Sequence, residues 1–139
     1  MANFTFELVS PERLIYSGQV DGVDVPGSEG DFGVGVGHAP FLSALRAGIL
    51  TIHAQGQSKR MFVRGGFAEV NATGLTVLAE RATPVEEIDL DHVRQLIKNA
   101  GEDLADAKTD DARQKAQTHL ADLTQVLSVL TTAGASSAH

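Results

Sequence analysis

The sequence predicts an α+β protein, with an N-terminal antiparallel β-sandwich over residues 1–85 followed by a two-helix antiparallel hairpin over residues 86–139. Three observations predict it. As far as Glu80, apolar residues come in short runs that alternate with polar ones, the period of strands with one buried face. Glycine- and proline-bearing dipeptides punctuate those runs closely, as the reversals of a two-layer sheet require. After Pro84 the apolar spacing changes to three and four residues, which places a stripe along one side of a helix.

In chain order, Phe4, Phe6 and Leu8 alternate with Thr5 and Glu7 and give the first strand. Val20, Val23 and Val25 surround Asp21-Gly22, and Ile49, Leu50 and Ile52 lead toward Met61, Phe62 and Val63. Asp21-Gly22, Pro26-Gly27, Gln55-Gly56, Gly65-Gly66 and Thr73-Gly74 read as turns, because glycine supplies positive φ and proline a fixed one. Thr83-Pro84 sits where a helix can begin, and Ile88, Leu90, Val93, Ile97, Ala100, Leu104 and Ala107 form its stripe. Lys108-Thr109-Asp110-Asp111 then offers side-chain oxygens to cap a second helix. The seam of that helix is Ala112, Ala116, Leu120, Leu123, Leu127 and Leu130, and so short a connection makes the pair antiparallel. The small, polar tail after Thr132 reads as frayed.

The hairpin is weakly self-sufficient. Each large seam residue contributes at most ~1.5–3 kcal/mol on full burial, much of the seam is alanine, and fixing each backbone residue costs ~1–2 kcal/mol. A helix pair of this kind rests on another surface and can exchange one surface for another. Its periodicity fits a partner-binding element and a plain structural one equally well.

Composition removes several function classes. The 139 residues contain no cysteine, which excludes disulfides and thiolate zinc sites. A net charge of −7 argues against wrapping a nucleic-acid backbone. Through residue 85 there are eight acids and six bases, and beyond it ten and five, so most of the negative charge lies in the helical part. The opening MANFTFELVS has no basic region or long apolar core, and the longest apolar stretch, residues 41–52, is broken by Arg46. Neither a membrane span nor a targeting address is expected.

The segment GSEGDFGVGVGHAP, residues 27–40, places five glycines in fourteen residues. Gly33, Gly35 and Gly37 superficially echo a phosphate cradle, but Pro40 biases Ala39 away from helical angles, so a hairpin-and-bulge segment is the plainer reading. His38 is a candidate metal ligand or general base, yet His53, His92, His119 and His139 stand at no metal-binding spacing from it. Ser28 lies in a Gly-Ser-Glu-Gly run one residue short of a nucleophile elbow. Glu29 and Asp31 share a face if extended, as solvated acids commonly do. No catalytic constellation emerges, and the residues read this far fit a free-standing β-sandwich binding module with a helical appendage.

A resemblance adds a second class of function, that of a subunit of a larger machine. The runs GSEGDFGVGVGHAPFLSALRAGIL and FVRGGFAEVNATGLTVLAERA, followed by a helical hairpin, resemble the epsilon subunits of bacterial and chloroplast F-type ATP synthases, counterparts of the mitochondrial delta subunit. The resemblance covers essentially the whole chain in order. It implies a non-catalytic, proton-transport-linked rotor subunit at the cytoplasmic face of the bacterial inner membrane, whose sandwich binds the gamma subunit and sits on the ring of c subunits. It further implies that the glycine-rich segment faces that ring, with Glu29, Asp31 and His38 as contact residues. In the family the hairpin can extend toward the catalytic alpha/beta hexamer and restrain ATP hydrolysis. Inhibitory members carry a basic second helix, whereas Arg113 and Lys115 are nearly all that this one offers, which implies weak restraint and marks those two as the head-contact residues. Some members bind regulatory ATP through Ile/Leu-Asp-x-x-Arg-Ala. Leu90-Asp91-His92-Val93-Arg94 approaches that motif, with Gln95 in place of alanine, so Asp91 and Arg94 are the nucleotide candidates, while an ordinary helix start explains Asp91 equally well. No other cofactor is implied.

Overall fold

Alternation of apolar and polar side chains gives β1 (Phe4–Val9) a buried face of Phe4, Phe6 and Leu8, as the sequence predicts. The computed structural model describes residues 3–37 and 39–137. Seven more strands follow: β2 (Leu14–Val20), β3 (Gly22–Val25), β4 (Phe32–Val34), β5 (Phe41–Ala44), β6 (Gly48–Ala54), β7 (Gln57–Asn71) and β8 (Gly74–Pro84). They are hydrogen-bonded in the order β2-β1-β8-β7-β6-β3-β4, with β5 also on β7. The chain divides into two compact units between Pro84 and Val85.

The 15-residue β7 makes this order feasible. Its first half pairs with β6, its second half with β5, and β8 pairs along nearly all of it. One sheet therefore turns its inner sides toward a single core. That core is contributed by β1 and β8 (Phe6, Leu8, Leu75, Val77) and by β3 and β6 (Val23, Val25, Leu50, Ile52).

Four expectations need correction. Gly65-Gly66 is no turn but lies inside β7, where φ reaches 69° and 113°. Met61 and Val63 face the core before it and Ala68 and Val70 after it, so the alternation changes phase across this glycine pair while the register with β8 holds. The sheet is not wholly antiparallel, since β1 runs parallel to β8. The two are far apart in sequence, and no tight turn dictates their relative direction. The first helix does not begin at Thr83-Pro84, which complete β8. A 3-10 turn at Val85–Glu87 intervenes, and α1 (Leu90–Asp106) starts where the Asp89 side chain accepts the Asp91 N–H. Finally, α2 (Asp110–Ser137) continues past Thr132, where fraying was expected.

Two of the predicted turn dipeptides close hairpins, whereas Gly22 opens β3 directly after β2 and Gly27 lies in a β-bridge with Leu45. Gln55 and Gly56, both at positive φ, close the β6–β7 hairpin. Asn71 accepts hydrogen bonds from the Thr73 amide, the Thr73 hydroxyl and the Gly74 amide, and so closes the β7–β8 hairpin. In the helical unit α1 packs on α2. Val93, Ala100, Leu123, Val126 and Leu130 are buried, and Thr109 caps α2 by accepting the Ala112 N–H.

Candidate functional site: the glycine segment and an outward apolar row

Residues 27–40 form a braced outer segment. Gly27 is buried and bridges to Leu45. A Cβ there would come 2.5 Å from the Gly30 carbonyl oxygen and 2.9 Å from the Phe32 ring, so only glycine lets the chain pass. The Ser28 N–H donates to the Ala44 carbonyl at 2.9 Å, and the Arg46 N–H donates to the Pro26 carbonyl at 3.0 Å. β4 then pairs with β3, and the Phe32 ring meets Phe41 edge-on at 5.1 Å. Beyond it Val36 is exposed and Gly35 and Gly37 have open space around them.

The Arg46 side chain was not legible in the sequence. Its guanidinium donates through Nε (3.1 Å) and Nη2 (2.7 and 2.8 Å) to the Asp31 carboxylate, and through Nη1 to the Ala47 carbonyl at 3.1 Å. This two-pronged pair ties the segment to the strand behind it. Asp31 is thereby engaged within the chain although it remains exposed, and Glu29 beside it is exposed too. His38 lies outside the described residues. Replacing Arg46 with alanine is expected to lower stability by about 1–2 kcal/mol and to speed amide exchange over residues 28–34, measured by hydrogen exchange. Lysine, lacking the planar fork, restores only part of the protection.

The segment is no phosphate cradle. Pro40 leads into a strand, and the hollow beside Gly35 and Gly37, walled by Phe4, Val34 and Val70, measures about 30 Å³. That holds water and nothing the size of a nucleotide. Among the described residues no group of three potential ligands could hold a metal ion. Asp24, His53 and Ser58 do form a hydrogen-bonded chain across β3, β6 and β7, with His53 Nε2 2.8 Å from Asp24 and Nδ1 3.0 Å from the Ser58 hydroxyl. Because a carboxylate only accepts, Nε2 is the protonated nitrogen of the neutral ring and Nδ1 accepts the hydroxyl.

A second surface begins where the glycine segment ends. Register places Ala44, Phe67, Leu78, Val9 and Leu14 side by side across β5, β7, β8, β1 and β2. Phe67, Leu78 and Leu14 are more than half exposed, while Glu69, Thr76 and Glu7 form the polar row alongside, which the exposed Leu42 joins opposite Glu69. Exposed apolar side chains in one continuous row mark a surface built to be covered.

In the helical unit, Asp91 and Arg94 pair with each other at 3.2 Å on the exposed first turn of α1. Arg113 pairs with Asp110 at 3.6 Å and Lys115 with Asp111 at 3.3 Å, all on exposed side chains, so each base of α2's first turns has an acid beside it.

Residues 3–85 match the family described as "ATP synthase, Delta/Epsilon chain, beta-sandwich domain". The chain belongs to this delta/epsilon family. It is 55% identical over 112 residues to the "ATP synthase epsilon chain" of Parvibaculum lavamentivorans, covering 80% of this chain and 85% of that one. It is 50% identical over 111 residues to the protein of the same name from Maricaulis maris, covering 80% and 84%. Its fold matches a chain in the structure of the Euglena gracilis mitochondrial ATP synthase OSCP/F1/c-ring assembly, with a TM-score of 0.76 and 25% identity, covering 94% of this chain and 82% of that one. A chain of the Tetrahymena thermophila mitochondrial ATP synthase central stalk and c-ring shares the fold, with a TM-score of 0.68 and 15% identity, covering 88% and 95%. As a delta/epsilon-family member the protein is a non-catalytic central-stalk subunit of an ATP synthase. No described helix is long and apolar enough to cross a membrane.

Proposed function

We propose that the sandwich is the coupling piece of the rotor, at the cytoplasmic face of the bacterial inner membrane. In this reading the apolar row from Ala44 to Leu14 seats the gamma subunit, and the glycine segment meets the ring of c subunits, with Glu29, Asp31 and His38 as its contact residues. The observation that carries the reading is the continuity of the two surfaces: the segment held by Arg46 and Asp31 runs straight into β5, the edge of the row. A member that transmits torque must not yield between its two partners, and the Arg46 latch supplies that stiffness.

The hairpin's role in this reading is a weak restraint on hydrolysis through contact with the catalytic head. Arg113 and Lys115 are its basic contacts there, and each is already partnered by an acid of its own helix. Asp91 and Arg94 pair with each other on the first turn of α1 and are the residues that a regulatory ATP would meet.

Replacement of Glu29 by lysine tests the ring contact. In the assembled complex it is expected to lower ATP-driven proton pumping several-fold while ATP hydrolysis by the head persists, because a reversed rim charge weakens docking without touching the chemistry. Unchanged pumping contradicts the ring contact.

A further inference from the structure

Arg64 on β7 and Arg81 on β8 stand directly opposite each other. Val63 and Ala82, their neighbours in sequence, turn to the core, so the two guanidiniums share the outward side. Like charges directly opposed across two strands repel, and neither arginine has a carboxylate within ion-pair distance among the described residues. Arg64 is held in place, its guanidinium carbon 5.8 Å from the centre of the Phe62 ring. Burial, and after it the charge of Arg81, hold the Arg64 pKa below the usual arginine value. The pair is short of a counter-charge.

Two further features surround it. Gly65 and Gly66 follow Arg64 at once, and Glu80 folds over Gly65 into the space a side chain there would take. A phase change of this kind re-aims the side chains beside it. Arg81 also lines an open groove of about 340 Å³, bounded by residues 10–15 and 80–83. Ser10, Arg13 and Thr83 line the same walls, together with Glu12 and Glu80. The acids on those walls disfavour a ligand that is anionic along its whole length and leave room for one whose charge is concentrated at one end.

We infer that Arg64 and Arg81 form a clamp for the phosphate group of a small phosphorylated molecule, the rest of which lies in the groove between residues 10–15 and 80–83. Two planar guanidinium forks match a tetrahedral dianion, each contributing paired donors, and the bound charge cancels their mutual repulsion. Inorganic phosphate and a nucleoside diphosphate share this chemistry, and the test separates them.

The full-length chain is titrated with inorganic phosphate and, separately, with ADP, while the arginine side-chain N–H resonances and the thermal midpoint are followed. Both ligands are expected to shift the Arg64 and Arg81 resonances and raise the midpoint, and Arg64→Gln/Arg81→Gln is expected to weaken binding roughly tenfold or more. Tighter binding of ADP than of phosphate supports occupation of the groove; equal affinities overturn that half and retain the clamp. In the ligand-free chain Arg81→Gln alone is expected to leave the midpoint unchanged or raised, through relief of repulsion, and a marked fall contradicts the uncompensated pair. Absence of any resonance shift with either ligand, or wild-type affinity in the double variant, overturns the proposal.

Discussion

Phe67→Glu combined with Leu78→Glu is expected to abolish association with the gamma subunit while the isolated chain stays folded. Both residues sit at the centre of the outward row, directly opposite each other on β7 and β8, and both are more than half exposed. Burying two such side chains against a partner contributes about 4 kcal/mol or more, and a carboxylate in their place adds a desolvation cost, so the loss in affinity is roughly thousandfold. Each substitution at an exposed position away from caps and turns changes fold stability by only about 0.5 kcal/mol, and repulsion between the two facing carboxylates adds roughly 0.2–1 kcal/mol. Calorimetric titration of gamma with wild-type and variant chains, with circular dichroism as the folding control, measures both halves of the result. A variant that binds gamma within a few-fold of wild type places the gamma contact elsewhere.

Gly66→Ala has a different profile, a large effect on the fold that removes no side chain of the docking row. The Gly66 φ of 113° is one that side-chain-bearing residues rarely adopt, and a Cβ there would overlap the Leu78 carbonyl oxygen on the neighbouring strand. Relief requires β7 and β8 to part where the alternation changes phase, on either side of which the core draws Val63 and Ala68. The expected cost is roughly 3 kcal/mol or more, a fall in the thermal midpoint of about 12 °C or more for a unit of this size. By contrast Gly35→Ala, which meets open space at ordinary backbone angles, is expected to leave the midpoint within a degree or two. Equal effects at the two positions contradict the argument.

The sandwich-then-hairpin layout was legible because periods of two and of three to four leave different marks on a sequence. The parts that were not legible share a physical cause. Alternation says which side chains stand together but not which side is covered, so Phe67, Leu78 and Leu14 became a surface only when register aligned them. Gly65-Gly66 reads as a turn because positive φ serves a reversal and a phase change inside a strand equally well. Arg46 and Asp31 are fifteen positions apart, and nothing local announces their pairing. The opposition of Arg64 and Arg81 likewise exists only in the β7–β8 register. Asp89 and Thr109, whose roles are local, show how much nearer to the sequence a helix start lies. Thr109 stood in the predicted connection, while Asp89 opens the first helix later than the Thr83-Pro84 start that the sequence suggests.

ATP-driven proton pumping by the assembled complex in sealed vesicles, with the Phe67→Glu/Leu78→Glu chain in place of the native one, tests the coupling role most directly. The account predicts that pumping collapses while hydrolysis by the catalytic head continues, because the chain carries rotation and performs no chemistry. Pumping at the native ratio to hydrolysis, from a complex that demonstrably retains the variant chain, would contradict it.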